Sequence, residues 1–203
     1  MWLSGSRPDV LERIAGGSPW KGNGPGPFNL YPNDYHRVQS WKSGNHTWKC
    51  VSKVLAWASG EQDWQALLGQ SSNAPRLGDL AYQIELSARP SLHTSSGAAP
   101  TADRQAFLRS VISTLRPTAR VLLFHGAEYP EATEKRHELA RLFLGLTEDA
   151  FPEPNEELVG TTLVRWIARG DRVVLYTRAL SMAVSDAYLK AVAQHVGGAI
   201  RST

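Results

Sequence analysis

Hydrophobic periodicity divides the chain into a glycine- and proline-rich N-terminal stretch and a longer C-terminal part where strand and helix patterns alternate. In the first part, PDVLERIAG (Pro8–Gly16) has a proline early and a glycine at its end, as a short helix does. In NHTWKCVSKVLAWASG, Trp48, Val51, Leu55 and Ala58 fall at i, i+3, i+7 and i+10, one face of a helix that Gly60 ends. A second short helix is predicted over EQDWQALLG (61–69). From Asp79 to Ser87, Leu80, Tyr82, Ile84 and Leu86 alternate with other residues, the period of a strand. The small-residue run ARPSLHTSSGAAP (88–100) reads as a loop.

Next comes a predicted helix with Thr101 as N-cap. It buries Phe107, Leu108, Val111, Ile112 and Leu115 and stops before Pro117. ARVLLFHG (119–126) is continuously apolar, as a strand covered on both faces would be. PEATEKRHELARLFLG (130–145) is a helix with acidic residues in its first turn, where the macrodipole favours them. TTLVRWIARGDRVVLYT (161–177) reads as two strands around Arg169–Asp171, and SMAVSDAYLKAVAQHV (181–196) as a closing helix capped by Ser181. This alternation predicts an α/β fold, a three-layer α/β/α sandwich with a mostly parallel central sheet. One domain over residues 1–203 is expected, with 1–20 as an N-terminal helical extension. In such sheets the ligand lies beyond the carboxyl ends of the strands, so the loops after Ser87, His125 and Thr177 are expected to converge on one crevice.

Composition narrows this picture. Of 203 residues, 42% are hydrophobic and 20% charged, which implies a buried core. The one cysteine, Cys50, excludes an intramolecular disulfide and a four-cysteine zinc or iron–sulfur site. His36, His93, His125 and the acidic residues show no metal-ligand spacing, so no metal is expected. No apolar run reaches the ~18 residues of a spanning helix, and the first residues lack the basic-then-apolar order of a signal peptide. A cytoplasmic protein is the expectation. A net charge of +3 and a pI near 9.1 permit nucleic-acid binding without demanding it. Of the seven tryptophans most are expected in the core, leaving one or two as platforms on which a base could stack.

The stretch GNGPGPFNLYPNDYH (Gly22–His36) holds three glycines, three prolines, three asparagines and an aspartate. It is a loop, and loops this long in compact domains are usually functional or disordered. GNGPG resembles the G-x-x-P-G first motif of the uracil-DNA glycosylase superfamily. The helix with Asn45, Trp48 and Lys49 resembles the N-R-F-W-K helix of the mismatch-specific (thymine/uracil) branch. IELSARPS (84–91) resembles that family's L-V-x-R-P-T turn, and FLRSVISTLRPTARVLLFHG (107–126) its helix, L-x-P turn and strand ending in glycine. LYTRALSMAVSDAYLKAV (175–192) is similar to the second motif, N-P-S-G-L-S, entering the last helix. Together these cover roughly residues 20–195.

The resemblance implies a monofunctional DNA glycosylase without a cofactor, acting as a monomer on duplex or single-stranded DNA. Flipping a base out costs a few kcal/mol, so a fitted pocket and stacking groups are required. Gly24 occupies the place where the family usually has an Asn or Asp for the attacking water, which passes to Asp34, then Asn23, then His36. Phe28 and Trp41 would stack on the base, while Asn45, Glu85 and His125 would line its pocket. A carboxylate at Glu85 accepts from an exocyclic amine and repels a uracil carbonyl. With Tyr176-Thr177-Arg178 where the second motif often carries a His or Asn, this points to a modified, cytosine-type pyrimidine, as in defence against modified viral DNA. Gly24, Gly26, Ser95, Arg178 and Ser181 would contact DNA, and Met182 would wedge into the emptied stack. Each of these residues also has a purely structural reading: a turn at Asn33–Asp34, an N-cap at Asn45, ordinary packing for the aromatics. Two other function classes fit: an inert relative that binds nucleic acid, and an unrelated α/β enzyme for nucleotides.

Overall fold

The computed structural model describes residues 2–4, 46–65, 81–83, 102–126, 134–147, 151–180 and 183–201. Ten elements lie within them: β1 (Trp2–Ser4), α1 (His46–Ser59), β2 (Ala81–Gln83), α2 (Ala102–Leu115), β3 (Val121–His125), α3 (Glu134–Leu144), β4 (Asn155–Val159), β5 (Thr162–Arg169), β6 (Arg172–Thr177) and α4 (Asp186–Arg201).

The strands form one sheet in the order β2-β1-β3-β6-β5-β4. It is a mixed α/β sheet, which corrects the expectation of a mostly parallel one. Among the described strands only β3 and β6 pair in parallel, with His125 opposite Thr177 at the end of the ladder. β4, β5 and β6 pair antiparallel because the chain returns through a meander after crossing by α3 to the far edge, and β1 is antiparallel to both of its neighbours. Antiparallel neighbours can be joined by tight turns, and Gly160 and Gly170, both at positive φ, supply them. Trp2–Ser4, read from sequence as part of a helical extension, pairs with both β2 and β3.

Strand alternation sorts the core into two clusters on the two faces of the sheet. Val121 and Leu123 of β3, Val173 and Leu175 of β6 and Val164 of β5 meet α1 and α4. Leu122, Phe124, Val174, Tyr176 and Ile167 meet α2 and α3. β3 is therefore covered on both sides, as its unbroken apolar run predicts. The helical faces predicted from periodicity are buried at Val51, Leu55 and Ala58 of α1 and at Leu108, Val111, Ile112 and Leu115 of α2.

Two element boundaries differ from expectation. Residues 61–65 form bends and turns, and the rest of the helix expected over 61–69 lies outside the described residues; the Asp63 carboxylate accepts from the Gln65 N–H, a local bond that competes with helix. The last helix starts at Asp186, not near Ser181, and Ser185 caps it by accepting the Tyr188 N–H at 3.2 Å.

Candidate functional site

The ends of the only described parallel pair define the candidate site. After β3 the chain turns at Gly126, whose φ of +74° is a left-handed conformation that side chains disfavour, and its N–H donates to the Thr177 carbonyl at 3.0 Å. The following helix, α3, packs on one face; the helix after β6, α4, packs on the other. Adjacent parallel strands whose connections leave to opposite faces open a crevice between their carboxyl ends, where ligands of α/β proteins bind.

Helix direction adds to this. Lys53 pairs with Asp186 at 2.7 Å, and Arg201 donates to the Ala58 carbonyl at 2.8 Å, so α1 and α4 run parallel. Gln105 and Arg109 reach Glu138 while Arg116 reaches the Phe143 carbonyl, so α2 and α3 also run parallel. Since α3 and α4 leave from the ends of β3 and β6, all four helices start at the crevice end of the sheet. Their N-termini present partial positive charge there. Glu134 and Asp186 answer that charge in the first turns of α3 and α4, whereas the first turn of α1 has no acidic residue.

At this end of the sheet His125 and Thr177 lie on the α1/α4 face, as register partners on adjacent strands. Burial pushes the His125 imidazole down to about 3, so it is neutral at ordinary pH, with one ring nitrogen a donor and the other an acceptor. Thr177 is 0% exposed and its Oγ1 has no hydrogen-bond partner. Buried polar groups are normally satisfied, so this hydroxyl, on the strand beside a neutral imidazole, is a candidate ligand contact. Arg178 follows, half-buried; its N–H donates to the Tyr188 hydroxyl at 2.9 Å, which in turn donates to the Leu163 carbonyl at 3.2 Å. Tyr188, buried at the start of α4, thereby fixes the exit of β6 against β5.

Of the site residues expected from sequence, the structure brings His125 and Arg178 to one end of the sheet. Asn23, Gly24, Gly26, Phe28, Asp34, His36, Trp41, Asn45, Glu85, Ser95, Ser181 and Met182 lie outside the described residues. Thr177 and Tyr188 are candidate site residues that pattern reading missed. A hydroxyl closing the otherwise apolar run Val173–Tyr176 was the available signal for Thr177; nothing local marks Tyr188 as the tie between β6 and β5. Among the described residues there is no group of three or more His, Cys, Asp or Glu able to hold a metal, and no helix long and apolar enough to cross a membrane. No protein-family model, curated protein or solved structure matches the chain.

Proposed function

We propose that this chain is a DNA glycosylase, hydrolysing the N-glycosidic bond of a flipped-out, cytosine-type modified pyrimidine, on a three-layer scaffold of the uracil-DNA glycosylase kind. The observation that carries the reading is the His125–Thr177 pair at the carboxyl ends of β3 and β6. In the reaction water attacks the anomeric carbon, the bond to the base breaks, and the base leaves with the electron pair. A neutral imidazole donates to the departing base without adding a charge that would bind phosphate instead. The water-handling role stays with Asp34, Asn23 or His36 of the Gly22–His36 loop. The mixed sheet does not remove this possibility, because the crevice needs one adjacent parallel pair and not a wholly parallel sheet.

The test is strand scission. End-labelled oligonucleotides carrying uracil, a G·T mismatch, cytosine, or methylated, hydroxymethylated or glucosylated cytosine are incubated with the protein and treated with hot alkali. Cleavage at a modified cytosine supports the reading, and His125→Asn is expected to lower it by about 100-fold, the usual effect of losing one well-placed donor. Binding without cleavage would make the chain an inert nucleic-acid binder. The switch-point crevice alone also favours an α/β enzyme for free nucleotides; mononucleotide binding in the absence of oligonucleotide binding would establish that instead.

A further inference from the structure

Outside the crevice, α1 and α4 carry an aromatic and basic surface that the proposed chemistry does not use. Lys49, Lys53 and Trp57 recur every four residues along α1, a single stripe about 12 Å long. Trp64 stands beside it, and both tryptophans are only partly buried. The Lys53 ammonium lies 5.8 Å from the Trp57 ring centroid and 5.5 Å from that of Trp64; the Lys190 ammonium of α4 lies 5.4 Å from Trp57. Two ring systems thus have ammonium groups against them, an arrangement in which a base and its phosphate can replace the cation on the ring.

Charge decides the occupant. Asp186 already neutralises Lys53 at 2.7 Å, and Asp63 and Glu61 lie in the turn after α1. Lys49 and Lys190 form no ion pair among the described residues. The stripe begins in the first turn of α1, where His46 and Lys49 stand and no acidic residue does. Basic residues at a positive helix end are unfavourable unless an anion is present. We propose that this face binds a single strand of nucleic acid, its bases on Trp57 and Trp64 and its phosphates on Lys49 and Lys190. At ~3.4 Å per stacked base the stripe spans about three nucleotides leading to the crevice end. This goes beyond the glycosylase reading and does not require that any bond be cleaved.

The experiment measures binding of a dT oligonucleotide, an abasic strand of equal length and the matching duplex by fluorescence anisotropy, as a function of salt. The dT strand is expected to bind about tenfold more tightly than the abasic strand, because phosphates alone give no stacking. In a Lys49→Gln/Lys190→Gln variant the dT affinity falls and the log–log salt slope shrinks by about 1.4, two contacts at ~0.7 each. Arg109→Gln, on the opposite face, removes the same kind of charge and is expected to leave the slope unchanged. Equal affinity for the dT and abasic strands, a slope unmoved by the double variant, or tighter binding of the duplex overturns the proposal. Excision that persists when the double variant has unchanged affinity would overturn this path and leave the crevice chemistry standing. Strand binding without excision would do the reverse.

Discussion

His125 and Thr177 are polar residues at the ends of the central strands, and each makes a measurable statement about stability. Burial holds the His125 imidazole at about 3 against an ordinary value of 6.5. Between those values the unfolded chain binds a proton that the native one does not, so stability falls as pH drops from ~6.5 toward 3 and is fully present above that window. Burial lowers His137 and His195 as well, in the same direction, although Glu157 at 3.4 Å from His195 partly opposes it there. Denaturant titrations at several pH values should show this slope, and His125→Gln should flatten it; an unchanged slope would mean that the imidazole is hydrated. Thr177 has the opposite expectation. Its hydroxyl is buried without a partner, which costs about 1–3 kcal/mol. Thr177→Val, of nearly the same shape, is therefore expected to raise the melting temperature while weakening ligand binding in the crevice. Destabilisation by that change would reveal a structural partner and remove Thr177 from the site.

Where one helix lies on another, the sequence holds two adjacent glycines with different tasks. Gly197 faces α1 closely enough that an added Cβ would stand 2.8 Å from the Ala58 carbonyl, the same oxygen to which Arg201 donates. Gly198 has nothing within 4 Å of that position. Alanine is worth about 1 kcal/mol over glycine in a helix, and overpacking costs ~1–3 kcal/mol. Gly198→Ala should stabilise the protein by roughly the propensity difference, and Gly197→Ala should destabilise it; the same sign at both positions would refute the close α1–α4 approach. Such pairs explain what was legible. Periodicity located α1, α2, β3, α3 and the β5–β6 hairpin because their buried residues repeat with one period. It missed β4, whose Asn155–Val159 is almost wholly exposed and has no alternation to read. It started α4 too early, because Ser181 and Ser185 are both acceptable caps and only packing of Tyr188 chooses between them. For the candidate site, the strand ends were legible, and with them the position of His125 and Arg178. The Thr177–Tyr188 environment was not, since it depends on register between strands some fifty residues apart.

The two clusters share their strands, and this governs how the molecule unfolds. Successive residues of β3 and β6 enter the α1/α4 cluster and the α2/α3 cluster in turn, so neither cluster persists once that parallel pair separates. Arg116 strengthens the coupling at the far end of the sheet: its guanidinium donates to the Phe143 carbonyl, and its own carbonyl accepts from Arg172 at the start of β6. One cooperative transition is expected, with calorimetric and van't Hoff enthalpies equal, and the slowest amides of α1 and α2 should exchange with the same global free energy. The crevice sits at the carboxyl ends of the same two strands, so a ligand bound there stabilises both faces at once. A saturating oligonucleotide at about 100 times its dissociation constant should add ~2.7 kcal/mol to both sets of amides. Protection confined to α1 and α4 would place the ligand on the lysine–tryptophan stripe alone. Equal protection of α2 requires that the ligand also close the ends of β3 and β6, because among the described residues both helix pairs pack on those strands.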